Sequence, residues 1–274
     1  MDLIFTIFVD NNPHYFNNSV DFLQKLPKGR KIIIFQSEET PPNTPKEIEI
    51  VSSVDFIREV AARLDIPHNK ITNACQLAVN KQKNHYTGLP FLKLFAPFYF
   101  SSPFWLLDAD LDFKPVVDPY SFFNIQEAEA SVLAAPENDA AGTVTAAGLG
   151  TILFHYEHYM NAGVIYYNKP LNYSNRAGAY ARFIKKLLIP SFYLKLNAEI
   201  PLNEQGLFNY FHYTQEQINS KEADKYNPKF LPTVYNQPAY HIENKKIKKW
   251  MEIKEGIVHY KGQIKPWMLE EVVR

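Results

Sequence analysis

The chain contains little cysteine and no excess of either charge. Its only cysteine among 274 residues is Cys75, which excludes an intramolecular disulfide and a cysteine-ligated zinc site. Such a low cysteine content is typical of a reducing compartment. Lys plus Arg and Asp plus Glu both number 29, so no global field recruits nucleic acid or an anionic membrane.

Long apolar runs are missing as well. No segment approaches the ~20 continuous apolar residues of a membrane span. The N-terminal MDLIFTIFVDNN lacks a basic flank and breaks at Asp10, so we interpret it as a first strand and not as a signal peptide. The lysine-rich KKIKKWMEIKEG (245–256) suits a lipid headgroup layer, but we favour a solvated, partly β segment. We therefore expect a soluble, cytoplasmic protein without an integral membrane segment or a nucleic-acid partner; the oligomeric state stays open.

Apolar residues, at 46% of the chain, suffice for a substantial core, and short apolar runs alternate with segments of helical period. Strands are predicted at Leu3–Val9, Lys31–Gln36 and Glu47–Val51. Ser52 and Asp55 then predict the start of a helix. This alternation favours a mostly parallel sheet with helices on both faces. The Pro/Asn-rich stretch 37–47 is a surface loop and not a domain linker, because strand patterns resume directly after it.

The later elements follow the same reasoning. LPFLKLFAPFYF (89–100) predicts a helix that leads into the strand FWLLDAD (104–110). Further strands are expected at 130–136, 162–168 and 256–262, and further helices at 176–190 and from 203 onward.

The segment FWLLDADLD (104–112) drives an apolar strand into a dense group of carboxylates. Residues two apart in an extended chain point to the same side, so Asp108 and Asp110 converge if the strand continues that far. Converging carboxylates can bind a hard divalent cation such as Mg²⁺ or Mn²⁺. A pair of solvated or turn-capping aspartates explains an isolated Asp-x-Asp equally well and is the commoner case.

Three further segments stand in a fixed order after this motif. They are HYMNAGVIYYN (158–168), LNEQGLFN (202–209) and HYKGQIKPW (259–267). With WLLDADLDF, they resemble the motifs of the family 8 glycosyltransferases over roughly residues 1–267. The resemblance implies an α/β protein with the GT-A fold, a Rossmann-like, mostly parallel central sheet flanked by helices. It implies one domain over 1–274, with a nucleotide-binding half (1–112) and an acceptor-binding half (113–274) that includes a C-terminal closing segment.

The resemblance also implies the activity of a metal-dependent, retaining glycosyltransferase. Such an enzyme moves a hexose or pentose from a UDP-sugar, its donor substrate, to a glycan, glycoconjugate or other hydroxyl acceptor. The implied metal ligands are Asp108, Asp110 and His259. Imidazole is a better ligand for Mn²⁺ than for Mg²⁺, which favours manganese and leaves magnesium possible.

Other residues are implied as contacts of the donor nucleotide. Asp10 and Asn12 would contact the uracil and ribose, although both are also ordinary turn residues. Lys265 would reach the diphosphate, and Gly262 would let backbone amides approach the same oxygens. Lys261 is the other lysine that could make the diphosphate contact instead of Lys265.

The sugar-facing positions depart from the family pattern. Asn161 matches a family residue near the donor sugar and acceptor, but the usual Asp-Gln-Asp reads Glu204-Gln205-Gly206, without the second carboxylate. Lys93 stands where an arginine is common, which keeps the charge and loses the bidentate fork. These departures leave the transferred sugar open.

The resemblance implies that Gln205 lies beneath the anomeric carbon of the donor sugar. Its amide is a poor nucleophile, and the adjacent Glu204 is expected to point elsewhere. We therefore favour front-face attack, in which the departing phosphate takes the acceptor's proton.

Two other functions fit the same motifs. A sugar-1-phosphate nucleotidyltransferase usually carries a Gly-rich phosphate loop beside its first strand, which VDNNPHYF lacks. A catalytically inactive sugar-nucleotide-binding module is the alternative from a different class, because fold does not fix function.

Overall fold

A computed structural model gives the fold. It describes residues 3–39, 41, 43–81, 88–126, 131–136, 160–168, 178–199, 204–213, 228–243, 246–249, 253–260 and 265. Within these ranges no helix is both long and apolar enough to cross a membrane.

The strands are short, and most of them belong to one sheet. Their bounds are β1 (Ile4–Val9), β2 (Arg30–Phe35), β3 (Ile48–Ser52), β4 (Phe104–Leu107), β5 (Leu111–Lys114), β6 (Val132–Pro136), β7 (Met160–Tyr167), β8 (Pro228–Phe230), β9 (Gln237–Pro238), β10 (Tyr240–Glu243), β11 (Lys246–Lys249) and β12 (Gly256–His259). The central sheet has seven strands in the order β3-β2-β1-β4-β7-β6-β8, and β7 runs antiparallel to both of its neighbours. The other four neighbouring pairs are parallel, so the predicted mostly parallel α/β sheet is confirmed.

Helices surround this sheet. Their bounds are α1 (Pro13–Lys25), α2 (Ser53–Leu64), α3 (His68–Lys81), α4 (Leu89–Leu92), α5 (Ala96–Tyr99), α6 (Pro119–Phe123), α7 (Ala179–Leu187), α8 (Pro190–Glu199) and α9 (Glu204–Tyr213), with 3-10 turns at Lys93–Phe95 and Thr233–Tyr235. Alternation along β2 splits the core, because Ile32 packs on the face that holds α2 and Ile33 on the face that holds α1. Helices thus lie on both faces, as predicted.

Local signals explain where three of these helices begin. Ser52 caps α2, since its Oγ accepts from the Asp55 N–H at 3.0 Å, as the predicted helix start requires. The single helix predicted over 89–100 is wrong, because this segment is α4, a 3-10 turn and α5 in succession. Pro90 and Pro97 each stand in the first turn of a short helix, and Pro97 has no N–H with which to continue the turn before it.

A second, three-stranded sheet in the order β5-β12-β9 lies beside the first. β12 runs antiparallel to β5, which places His259 opposite Leu111. Because β5 follows β4 after three residues, the end of β12 comes to the carboxyl edge of the central sheet. Ligands of open α/β sheets bind at this edge.

Candidate metal and donor site

Asp108, Asp110 and His259 meet at the carboxyl edge of the central sheet. His259 Nε2 lies 3.5 Å from Asp108 Oδ2 and 3.2 Å from Asp110 Oδ1. One ligand atom from each of the three residues lies within 4.8 Å of the others. The structure thus brings together the three residues that the sequence suggests as metal ligands.

The carboxylates converge by a different route from the one expected. β4 ends at Leu107, so Asp108 and Asp110 do not alternate along one strand. The Asp108 N–H donates to the Gly163 carbonyl at 2.9 Å, which ties it to β7. The Asp110 carbonyl accepts from the Tyr260 N–H at 3.0 Å, which ties it to the chain after β12. A turn held by two different sheets brings the side chains together.

Each carboxylate also has a lysine partner. Lys93, which is buried, forms an ion pair with Asp108, and Lys265 forms one with Asp110. Burial raises the pKa of Asp108, but the Lys93 ammonium and the His259 imidazole outweigh it and hold this pKa far below its usual range. Burial also raises the pKa of Asp110, but His259 and Lys265 outweigh it, so this pKa is lowered as well. Both acids are therefore ionised at neutral pH.

Asp112, the third acid of the motif, belongs to another contact. It pairs with Lys25 at 2.6 Å and with Lys114 at 2.8 Å. Both lysines are exposed enough for these to be surface ion pairs. Asp112 therefore serves as a natural control for the other two aspartates.

The first residues of α9 contact the site in two directions. Glu204 Oε1 lies 3.9 Å from Lys93 Nζ, and burial raises the pKa of this carboxyl although Lys93 opposes the shift. Gln205 Oε1 accepts from the Ala162 N–H of β7 at 3.0 Å. The two side chains diverge, as expected, because successive helical residues lie about 100° apart.

β7 forms the floor of the site. Asn161 is buried, and its Oδ1 accepts from the Gly163 N–H at 2.7 Å. A Cβ atom on Gly163 would lie 2.5 Å from Asp108 Oδ2, 2.5 Å from His259 Cε1 and 2.8 Å from Asn161 Oδ1. A side chain at this position would therefore displace these groups. The motif Asn-Ala-Gly contains Gly163, but its steric role has no sequence signal without the fold.

Asp10 and Asn12 lie at the carboxyl end of β1, where both make local bonds. Asn12 caps α1 by accepting from the His14 N–H at 3.0 Å, and Asp10 Oδ1 accepts from the Asn12 N–H at 3.0 Å. A cavity of about 440 Å³ opens beside them, lined in part by Asn11, Phe16 and Phe35.

Lys265 reaches the site from the opposite end of the chain. Its Nζ lies 5.6 Å from the centre of the Tyr15 ring and donates to the Tyr260 carbonyl at 3.1 Å. Gly262 and Lys261, also suggested by the sequence, lie outside the described residues.

Asn236 is a site residue that the sequence did not reveal. Its Oδ1 lies 2.8 Å from His259 Nδ1, behind the imidazole. Asn236 stands in a turn, where asparagine is common for other reasons, so no local pattern distinguishes it.

Comparison with known proteins finds resemblance in structure alone. No family model and no curated protein matches the chain. Among solved structures, the galactosyltransferase LgtC, in complex with donor and acceptor sugar analogs, superposes with a TM-score of 0.60 at 11% identity, over 97% of this chain and 89% of LgtC. Mouse xyloside xylosyltransferase 1 gives 0.55 at 14% identity, over 95% and 98%.

The glycosyltransferase GlyE of Streptococcus pneumoniae gives a TM-score of 0.54 at 15% identity, over 97% of this chain and 56% of GlyE. At these identities the likeness concerns the fold. The chain has the GT-A glycosyltransferase fold.

Proposed function

We propose that the protein is a metal-dependent, retaining family 8 glycosyltransferase that moves a hexose or pentose from a UDP-sugar to a glycan or other hydroxyl acceptor. The observation that carries this proposal is the convergence of two carboxylates and one imidazole at the carboxyl edge of a GT-A sheet. The ordered sequence motifs around the same residues support the assignment to family 8. A cytoplasmic location is part of the proposal and rests on the low cysteine content.

The ligand atoms fit a divalent cation. Two carboxylate oxygens and one imidazole nitrogen are a ligand set that suits Mn²⁺ and suits Mg²⁺ less well. Gly163 leaves open the space beside them that a methyl group would fill. Asp108, Asp110 and His259 would hold the ion, which when bound neutralises charge that develops on the departing diphosphate.

The lysines supply further positive charge to the same region. Lys265, which pairs with Asp110, would exchange that bond for one to a diphosphate oxygen. Lys93 is more deeply buried and lies between Asp108 and Glu204, so we assign it to the sugar end of the donor. The carboxylate of Glu204 then accepts hydrogen bonds from sugar hydroxyls.

Gln205 and Asn161 complete the sugar-binding surface. The Gln205 carbonyl oxygen accepts from the backbone of β7, which fixes the orientation of the amide. An amide held in this way aligns the sugar and is a poor covalent nucleophile. Front-face attack follows, in which the acceptor hydroxyl bonds to the anomeric carbon on the side that the phosphate leaves. The departing phosphate oxygen takes the hydroxyl proton, and the configuration is retained.

A donor screen tests this proposal. We expect release of UDP from one of UDP-glucose, UDP-galactose and UDP-xylose in the presence of Mn²⁺, and no release from GDP-sugars or in EDTA. Asp110→Asn should abolish release, whereas Asp112→Asn should retain it, because Asp112 pairs with Lys25 and Lys114 away from the cluster. The anomeric proton of the product, observed by NMR, reports retention or inversion.

The same samples distinguish the alternatives. UDP binding without turnover of any donor would identify an inactive binding module. Formation of diphosphate from UTP and a sugar 1-phosphate would identify a nucleotidyltransferase. Release that is equal in Mn²⁺ and EDTA would contradict metal dependence.

A further inference from the structure

We infer that Asn236 is a positioning residue for the metal centre, because it fixes the tautomer and the ring orientation of His259. The inference rests on the proposed function, in that His259 is taken as a metal ligand. It adds a residue outside every motif identified in the sequence.

The orientation of the Asn236 amide follows from its neighbours. Asn236 is fully buried, and its Nδ2 donates to the Pro136 carbonyl at 3.4 Å. A carbonyl can only accept, so the amide nitrogen faces Pro136 and Oδ1 faces the imidazole. His259 Nδ1, 2.8 Å away, must then carry a hydrogen and donate it.

This tautomer decides what the other ring nitrogen can do. With the hydrogen on Nδ1, the lone pair of a neutral His259 is on Nε2, which faces Asp108 Oδ2 and Asp110 Oδ1. Three electron-pair donors then point toward one another, which is the arrangement that a cation binds. The opposite tautomer would place a hydrogen on Nε2, where it would bond to a carboxylate and block the cation.

The fold holds Asn236 in place through its backbone and its neighbour. Its N–H donates to the Thr233 carbonyl at 3.0 Å, which closes the 3-10 turn. The Tyr235 ring stacks on Phe122 at 4.2 Å between ring centres and on Trp105 of β4 at 5.6 Å. Trp105 is three residues before Asp108, so the same packing anchors the carboxylate side and the imidazole side of the site.

Two kinds of variant separate a positioning role from simple packing. Asn236→Leu and Asn236→Ala remove the acceptor from Nδ1, whereas Asn236→Asp keeps an acceptor of similar size. Gln237→Leu is the matched control, because the Gln237 side chain donates to the Glu255 carbonyl at 2.7 Å in the same segment, and its replacement leaves the bond between Asn236 and the His259 ring in place. Thermal unfolding of each variant establishes that it is folded.

The readout is Mn²⁺ affinity, measured by the electron paramagnetic resonance signal of the free ion, together with spin-echo modulation from a coordinated imidazole nitrogen. We expect Asn236→Leu and Asn236→Ala to weaken Mn²⁺ binding by about 10–100-fold and to lose the nitrogen modulation. Asn236→Asp should stay within a few-fold of the wild type, and Gln237→Leu should be unchanged.

The result that would overturn the inference alone is clear nitrogen modulation in the wild type that persists, with unchanged affinity, in Asn236→Leu or Asn236→Ala. Wild-type protein that binds Mn²⁺ without nitrogen modulation, or does not bind it, would overturn both this inference and the proposed metal site. Intact metal binding with no transfer from any donor would contradict only the proposed function.

Discussion

Gly163 is the residue at which the site depends most directly on the absence of a side chain. A Cβ atom added at this position would contact Asp108, Asn161 and His259 at once. Such distances are shorter than van der Waals contact, so a methyl group must displace at least one of these side chains. We expect the cost to fall on the site's side chains, because β4 pairs with Val164–Tyr167 of β7 and the Gly163 carbonyl accepts from the Asp108 N–H.

We therefore predict that Gly163→Ala folds but loses Mn²⁺ affinity by at least 10-fold, measured by calorimetric titration, since ligand displacement of this kind is typically that costly. Ala162→Gly is the control, because it removes a methyl group from the neighbouring residue of the same strand. Wild-type Mn²⁺ affinity in Gly163→Ala would show that the cation binds elsewhere.

Lys93 presents the opposite situation, a buried charge whose partners are both acids. Removing it leaves Asp108 and Glu204 facing each other in a buried site. We predict that Lys93→Met lowers the free energy of unfolding by about 3 kcal/mol, as expected when one member of a buried ion pair is removed. Urea denaturation measures this change.

Adding Glu204→Gln to Lys93→Met should restore part of the loss, because Asp108 is then the one charged acid of the two that faced Lys93. Strictly additive effects in this double-mutant cycle would rule out an interaction between Lys93 and Glu204.

Gln205 tests the chemistry at the same scale. Because its amide orients the sugar and forms no covalent bond in the proposed reaction, we predict that Gln205→Ala lowers kcat without abolishing it, by about 10–100-fold. Steady-state kinetics with the preferred donor measure this effect. Complete inactivation with intact donor binding would instead favour a covalent role.

At the scale of elements, α3 and α4 pack closely around Cys75. A Cβ atom added at Gly88, just before α4, would lie 3.2 Å from the Cys75 carbonyl oxygen. Burial raises the pKa of the Cys75 thiol to about 12. Thiolate is the reactive form, so this thiol stays protonated until the pH nears that value.

We predict that iodoacetamide at pH 8 modifies Cys75 at least 100-fold more slowly in the native protein than in urea, because the thiolate fraction falls about tenfold per pKa unit. Mass spectrometry follows the reaction, and Cys75→Ser gives the background. Equal rates would mean that α3 does not pack as described.

The sequence predicts the larger elements well and the smaller ones poorly. β1 and β2 are short segments rich in Ile, Phe and Val, and Ser52 with Asp55 marks the start of α2. The sheet of β5, β9 and β12 has no comparable signal, because β9 has two residues and β5 and β12 are distant in sequence. Propensity cannot indicate pairing between such short segments.

The same limit applies to the site. Asp108, Asp110 and His259 stand in motifs and could be suggested together, whereas the route of their convergence could not. Asn236 was not predictable, because its role depends on the 3-10 turn and on a histidine 23 residues away. Motifs name the groups that touch a ligand, and the fold identifies the groups that orient them.

On the scale of the whole molecule, basic and acidic side chains are equal in number, and at the site they also stand in pairs. The chain has 29 basic and 29 acidic side chains, and at the site Lys93 pairs with Asp108 while Lys265 pairs with Asp110. A divalent cation and a diphosphate that enter together change this balance little. We therefore expect the metal ion and the nucleotide each to raise the affinity of the protein for the other.

Crystals grown with Mn²⁺ and UDP, measured at an X-ray wavelength at which manganese scatters anomalously, give the most direct test. We predict one strong anomalous peak bonded to Asp108, Asp110 and His259, with the UDP diphosphate on its open side. A peak elsewhere, with those three side chains apart and the nucleotide bound at another place, would contradict it.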